Sequence, residues 1–179
     1  MTFRIDLVGH MDAGKRARWR GDQDERPLSE LGRRQAEALA EALASEPIDA
    51  LYAGPALRCR QTLEPLAERR GLTVAVLPEL GEKRAWRGPE GWESSAHEAA
   101  FAAGTALRAI DKLRTLHPEG SVVACSHGHV IPALVAYLVA AHEMTGVPEV
   151  TRRGQWHALR FVDGHIAVER REAQGFPTG

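Results

Sequence analysis

Four side chains able to do chemistry stand shortly after apolar runs. His10 follows FRIDLV (3–8), Arg58 follows IDALYA (48–53), Glu82 follows LTVAVL (72–77) and His127 follows SVVACS (121–126). Two imidazoles, a guanidinium and a carboxyl can together hold an anion and move protons around it. Each residue also has a plainer reading. A histidine in a turn is often only solvated, Arg58 could lie on a helix surface, Glu82 could be a loop charge, and His127 could merely start a helix. Their shared placement past four apolar runs favours the joint reading over the single ones. Arginines and lysines cluster near them: Lys15, Arg16, Arg18 and Arg20, then Arg58 and Arg60, then Lys83, Arg84 and Arg87. Local cations in a chain of net charge −1 suit a small anionic ligand better than a long polyanion.

The elements that must position these groups alternate. FRIDLV is a first strand ending at Gly9, and residues 11–27 form a polar loop closed by Pro27. SELGRRQAEALAEALA (29–44) predicts a helix with Ser29 as N-cap and an apolar stripe of Leu31, Ala38, Leu39, Ala42 and Leu43. Residues 48–53 read as a second strand, and 54–70 as a helix opened by Gly54-Pro55 and stopped at Gly71. A third strand spans 72–77, and glycines and prolines over 78–95 predict a long irregular loop. A long helix follows over 93–117, softly interrupted at Gly104. The continuous apolar run 121–126 suits a central parallel strand, and 127–144 carries the next helix. Residues 155–162 and 165–171 read as an antiparallel hairpin about Asp163-Gly164, and 173–179 as a loose tail. The alternation predicts one α/β domain over 1–172. It is a three-layer α/β/α arrangement with a mostly parallel central sheet and helices on both faces. Ligands of such sheets sit outside the carboxyl ends of the strands, where the four candidates fall.

The 179 residues, 44% apolar and 26% charged, suffice for a hydrophobic core. Cys59 and Cys125 form no C-x-x-C pair, which speaks against a zinc or redox motif and fits a reducing, cytoplasmic setting. VIPALVAYLVAA (130–141) is too short to span a bilayer. No nucleic acid, membrane, metal or cofactor partner is expected. His129 lies two residues after His127, but helical geometry is expected to send those side chains apart. G-H-M-D-A-G lacks the G-x-G-x-x-G spacing of a dinucleotide site.

In order and spacing, several segments resemble the histidine phosphatase superfamily, with its phosphoglycerate-mutase-like fold. G-H-M at 9–11 resembles an R-H-G or R-H-A signature, and RPLSELGRRQAEAL (26–39) resembles L-T/S-x-x-G-x-x-Q-A-x-x-L. GPALRCRQT (54–62) resembles S-P-x-x-R-x-x-Q-T with Gly54 in place of serine. ELGEKRAWRG (79–88) resembles the segment with the acidic residue, and CSHGHVIPAL (125–134) resembles the S-H-G-x-x-I stretch. The resemblance implies a phosphatase in which His10 takes up the phosphoryl group and Arg58 grips its oxygens. It also implies that His127 hydrogen-bonds the transferring group and Glu82 protonates the leaving oxygen. The Gly128 amide and Arg16 are further candidates for phosphate binding. Substrates would be small phosphorylated molecules, including nucleotide-linked ones, or a phosphohistidine protein. A mutase fits less well, because the loop after the third strand is short and no second-substrate site is marked.

The chemistry sets demands of its own. A neutral imidazole can attack phosphorus and split one difficult displacement into two, while fixed cations hold the equatorial oxygens. A carboxyl acting as acid must keep its proton, so Glu82 is expected to need a raised pKa, with Lys83 and Arg84 pointing away. Trp19, Trp86 and Trp92 could rim the pocket or cap the core. The departure is Gly9, where the family places an arginine. Losing one preorganised donor costs about 3–4 kcal/mol of transition-state stabilisation. Met11, where the family has a small residue, is expected to crowd the nucleophile. Three outcomes stay open: Lys15, Arg16 or Arg18 compensates; the enzyme is slow; or the pocket binds a phosphorylated ligand without turnover.

Overall fold

SVVACS is buried at every residue because both of its edges and both of its faces are covered. In the computed structural model, which describes residues 2–82 and 95–178, this strand is β4 (Ser121–Ser126). It lies between β1 (Thr2–Gly9) and β2 (Ala50–Ala53), and β3 (Val74–Val76) extends the sheet beyond β2. These four strands run parallel. On the other side of β1 the direction reverses. The strands β5 (Gln155–Val162) and β6 (His165–Glu172) pair antiparallel, giving the order β3-β2-β4-β1-β5-β6.

Alternation along the strands builds two cores. Val8, Leu51, Ala53, Val123 and Cys125 face α1 (Glu30–Leu43) and α2 (Leu57–Arg70), packing with Leu39, Leu43, Leu63 and Leu66. Phe3, Ile5, Leu7, Val122 and Ala124 face α3 (Ser95–Leu116) and α4 (Val130–Ala141), packing with Ile110, Leu113, Leu134 and Leu138. A strand buried on both faces needs apolar residues at every position, which is why β4 shows no polar alternation. No helix among the described residues is long and apolar enough to cross a membrane.

The boundaries depart from expectation where backbone chemistry intervenes. Ala56 is the extended cap of α2, so the helix begins after Gly54-Pro55 rather than with them; Gly71 ends it in the left-handed region at φ 63°. The helix expected from residue 127 starts at Val130. Gly104 does not interrupt α3, since the backbone bonds continue through it. The tail is also not loose. Ala173 is buried and its N–H donates to the Gly154 carbonyl at 2.9 Å, while Gln35 Nε2 donates to the Pro177 carbonyl at 2.9 Å.

The β1–β5 pairing fixes the far wall of the crevice. Leu7 pairs with His157 and Asp6 with Ala158, so continuing the register would set Gly9 beside Gln155 and His10 beside Gly154. Buried Asp6 strengthens the pairing, accepting a 2.7 Å hydrogen bond from Trp156 Nε1 and facing Arg4 Nη2 at 3.0 Å.

Candidate active site

The turn after β1 is pinned by residues of α1 and α2. His10 N–H extends the β1–β4 ladder by donating to the Ser126 carbonyl at 2.9 Å. Met11 N–H donates to Thr62 Oγ1 at 3.0 Å, and Asp12 N–H to Gln35 Oε1 at 2.9 Å. Ser29 N–H and hydroxyl both reach Asp12, and a Cβ on Gly32 would stand 1.9 Å from the Asp12 carbonyl oxygen. The spacing S-x-x-G-x-x-Q therefore has a mechanical meaning: the first turns of α1 are the seat on which the His10 turn rests. Met11 does not crowd the nucleophile as expected. Its side chain is buried in the core with Val8 and Leu63, because the chain turns after His10 and sends the next side chain inward.

That seat sets the chemistry of His10. Its Nδ1 lies 2.8 Å from the Met11 carbonyl oxygen, which can only accept, so the proton resides on Nδ1 and Nε2 keeps its lone pair. Burial lowers the imidazole pKa to about 4, against the pull of that carbonyl and assisted by His127, Arg58 and Arg153. At neutral pH the ring is uncharged. The His10 and His127 rings meet edge to face with centroids 5.4 Å apart.

Arg58, in the first turn of α2, is almost wholly buried. Its Nη1 donates to the Gln23 carbonyl at 2.5 Å, and its Nη2 to Glu82 Oε2 at 2.8 Å. The same Nη2 lies 3.3 Å from His127 Nδ1, while His127 Nε2 faces Cys59 Sγ at 3.6 Å. Glu82 is held from two sides, since Arg16 Nη1 donates to its other oxygen at 3.0 Å. Burial pushes this carboxyl up, yet His127, Arg16 and Arg58 outweigh burial and hold it below its ordinary value. The expected raised pKa is thus not found. Lys83, Arg84, Trp86 and Trp92 lie outside the described residues.

The approach of Glu82 is set by the Pro78–Leu80 turn. The Leu80 carbonyl accepts from Ser126 Oγ at 2.7 Å, and a Cβ on Gly54 would lie 2.6 Å from the Leu80 oxygen. Glycine rather than serine at position 54 is what this packing accommodates.

Four of the predicted residues therefore meet: His10, Arg58, Glu82 and His127. Arg16 joins them through Glu82; like Lys15 and Arg18 it is exposed. Gly128 is exposed and borders a cavity of about 350 Å³ shared with Gly9, His10 and Arg153. His129 does not diverge from His127 as expected. The rings stack at 5.9 Å, because both residues precede α4 and sit in a turn. Among the described residues, no group of three or more His, Cys, Asp or Glu side chains could hold a metal. His117 and His157 have partners that the sequence did not name: Tyr52 Oη at 2.8 Å and the Pro148 carbonyl at 2.9 Å. Trp19 Nε1 donates to the Asp22 carbonyl and braces the 12–22 loop on itself.

Sequence reasoning passed over Gln35, Thr62 and Gln23, which position the site, and Arg153, which borders it. Gln35 and Thr62 stood inside quoted motifs; Gln23 acts through its backbone, and Arg153 carried no motif signal.

Comparison with known proteins gives the family and the fold. The model of the histidine phosphatase superfamily (branch 1) matches residues 9–173. An 8-oxo-(d)GTP phosphatase of Mycolicibacterium smegmatis is 33% identical over 167 residues, covering 92% of this chain and 46% of the relative. The chain thus spans about half the length of that relative. Mycobacterial glucosyl-3-phosphoglycerate phosphatase superposes with TM-score 0.67 at 22% identity, over 97% of this chain and 100% of the other. The protein histidine phosphatase SixA, solved with tungstate, superposes with TM-score 0.66 at 21% identity, over 95% and 97%.

Proposed function

The chain belongs to the histidine phosphatase superfamily (branch 1), and from that premise we propose that it hydrolyses a phosphomonoester or phosphohistidine through a phosphohistidine intermediate on His10. One observation carries the reading. The His10 ring is uncharged, fixed through Nδ1 to the Met11 carbonyl so that Nε2 keeps its lone pair, and set edge to face with His127 within the field of Arg58.

The steps follow from charge. An arriving phosphate dianion competes with the Glu82 carboxylate for Arg58, whose planar fork suits paired oxygens. Losing its cation and gaining an anionic neighbour, the carboxyl rises in pKa and takes a proton. Nε2 then attacks phosphorus: a P–N bond forms, the P–O bond to the leaving group breaks, and Glu82 donates its proton to the departing oxygen. In the second step a water oxygen attacks phosphorus, the P–N bond breaks, and the Glu82 carboxylate accepts the water proton. His127 and the Gly128 amide flank the equatorial oxygens. The substrate is a small phosphorylated molecule or a phosphoprotein, with nucleotide-linked phosphates favoured by the likeness to the M. smegmatis enzyme.

Wild-type protein should release phosphate from an aryl phosphate and carry an acid-labile phosphoryl group, and His10→Ala should abolish both. Turnover that survives His10→Ala overturns the reading. Gly9 favours a second reading, binding of a phosphorylated ligand without turnover, because the space an arginine would fill is open. That reading predicts anion binding, no phosphate release, and recovery of turnover in Gly9→Arg.

A further inference from the structure

The cavity beside Gly9 is bounded by a cation that no motif marks. Gly9 and His10 form one wall from the end of β1, Gly128 borders it before α4, and Arg152 and Arg153 close it from the segment entering β5. Because β5 runs antiparallel to β1, the start of β5 lies at the same sheet edge as the end of β1. Along that edge the order is Arg58 past β2, His127 past β4, His10 past β1, and Arg153 before β5.

The backbone behind Arg153 is held firmly. Gly154 adopts φ +84°, its carbonyl accepts from Ala173 N–H, and a Cβ there would stand 2.5 Å from the Phe176 ring. The guanidinium itself is held loosely. It lies 3.6 Å from Asp12 Oδ1, beyond hydrogen-bond length, with about half its side chain exposed (48%). Asp12 does not depend on it, since Oδ2 already accepts from Ser29 Oγ at 2.6 Å and Gly14 N–H at 2.9 Å. Arg152, by contrast, is paired with Glu172. Arg153 is therefore a charge aimed at the His10 side and free to exchange a weak carboxylate contact for a stronger anion.

We propose that Arg153, reaching in from the segment before β5, supplies the second guanidinium that position 9 lacks and grips the transferring phosphoryl group from the side of His10 opposite Arg58. This rests on the phosphatase reading above. Exchanging Asp12 for a phosphate dianion strengthens the charge-assisted hydrogen bonds available to the guanidinium.

The test compares wild type with Arg153→Met, Arg153→Lys, Gly9→Arg and the Gly9→Arg/Arg153→Met double variant. Two quantities are read: kcat/KM for p-nitrophenyl phosphate, and the dissociation constant of orthovanadate by calorimetry. Arg153→Met should lower kcat/KM roughly 10- to 100-fold and weaken vanadate, with Arg153→Lys between. Gly9→Arg should raise kcat/KM at least about tenfold in the Arg153→Met background and much less in wild type, because one guanidinium fills the role. Read by NMR, the His10 titration midpoint should move up when the Arg153 charge is removed, and an unmoved midpoint counts against the proposal. Wild-type kinetics and vanadate affinity in Arg153→Met overturn the proposal, and so does an equal gain from Gly9→Arg in both backgrounds. If wild type releases no phosphate, the phosphatase reading fails separately. The vanadate titration then decides: weaker binding in Arg153→Met supports the role, and unchanged binding ends it.

Discussion

The two walls flanking His10 are built on different plans. On the α2 side, Arg58 is buried, its two terminal nitrogens are engaged, and Glu82 already sits against it as an internal anion. On the β5 side, Gly9 leaves open space and Arg153 hovers half-exposed near an Asp12 that is otherwise satisfied. The first wall is preorganised and self-neutralised, so a ligand must displace something. The second is roomy and cationic, so a ligand only has to arrive. Glycine at position 9 thus leaves His10 between one rigid wall and one adjustable one.

The largest effect that tests this contrast is on the rigid wall. Arg58→Met should reduce kcat/KM about 100- to 1000-fold, and Arg58→Lys should recover little, since a point charge cannot reproduce the fork to Gln23 and Glu82. Steady-state kinetics decide it; a loss no larger than that of Arg153→Met would erase the difference between the walls. Next, Glu82→Gln should lower kcat about 100-fold by removing the acid, while tightening orthovanadate because the competing charge on Arg58 is gone. Weakened vanadate binding would show that Glu82 does not stand in the anion's place. The smallest effect is on stability. Gly54→Ser adds an atom 2.6 Å from the Leu80 oxygen and should cost about 1–3 kcal/mol, a fall of several degrees in Tm. Gly9→Ala meets nothing within 4 Å and should leave Tm level or slightly raised. Equal thermal shifts for the two would mean the walls are packed alike.

The pH behaviour of His10 carries the same contrast into stability. Its folded pKa of about 4 lies below the ordinary 6.5, so the unfolded chain binds the proton more readily. This residue therefore costs stability as pH falls from about 6.5 toward 4, and leaves stability untouched above 6.5.

Much of the architecture was legible from residue order. β4 reads off SVVACS because a strand covered on both faces can contain little but apolar residues, and Ser29 caps α1 because its hydroxyl reaches the Gly32 N–H. The chemically able residues were legible too, since each of the four follows a strand whose carboxyl end faces the crevice. The charge state of Glu82 was not. It depends on Arg16 and Arg58, whose distances to the carboxyl arise from separate elements folding together. Nor was the direction of Met11, whose burial follows from the turn after His10 rather than from its neighbours in sequence.

What the chain determined by itself was local: apolar periodicity, caps, and which side chains end which strands. What only tertiary structure decided was adjacency. Arg153 lies 143 positions after His10 in the chain, yet the reversal of β5 against β1 brings the start of one beside the end of the other. Strand direction is fixed by hydrogen bonds between elements, and residue types along a single strand do not encode the partner it will find.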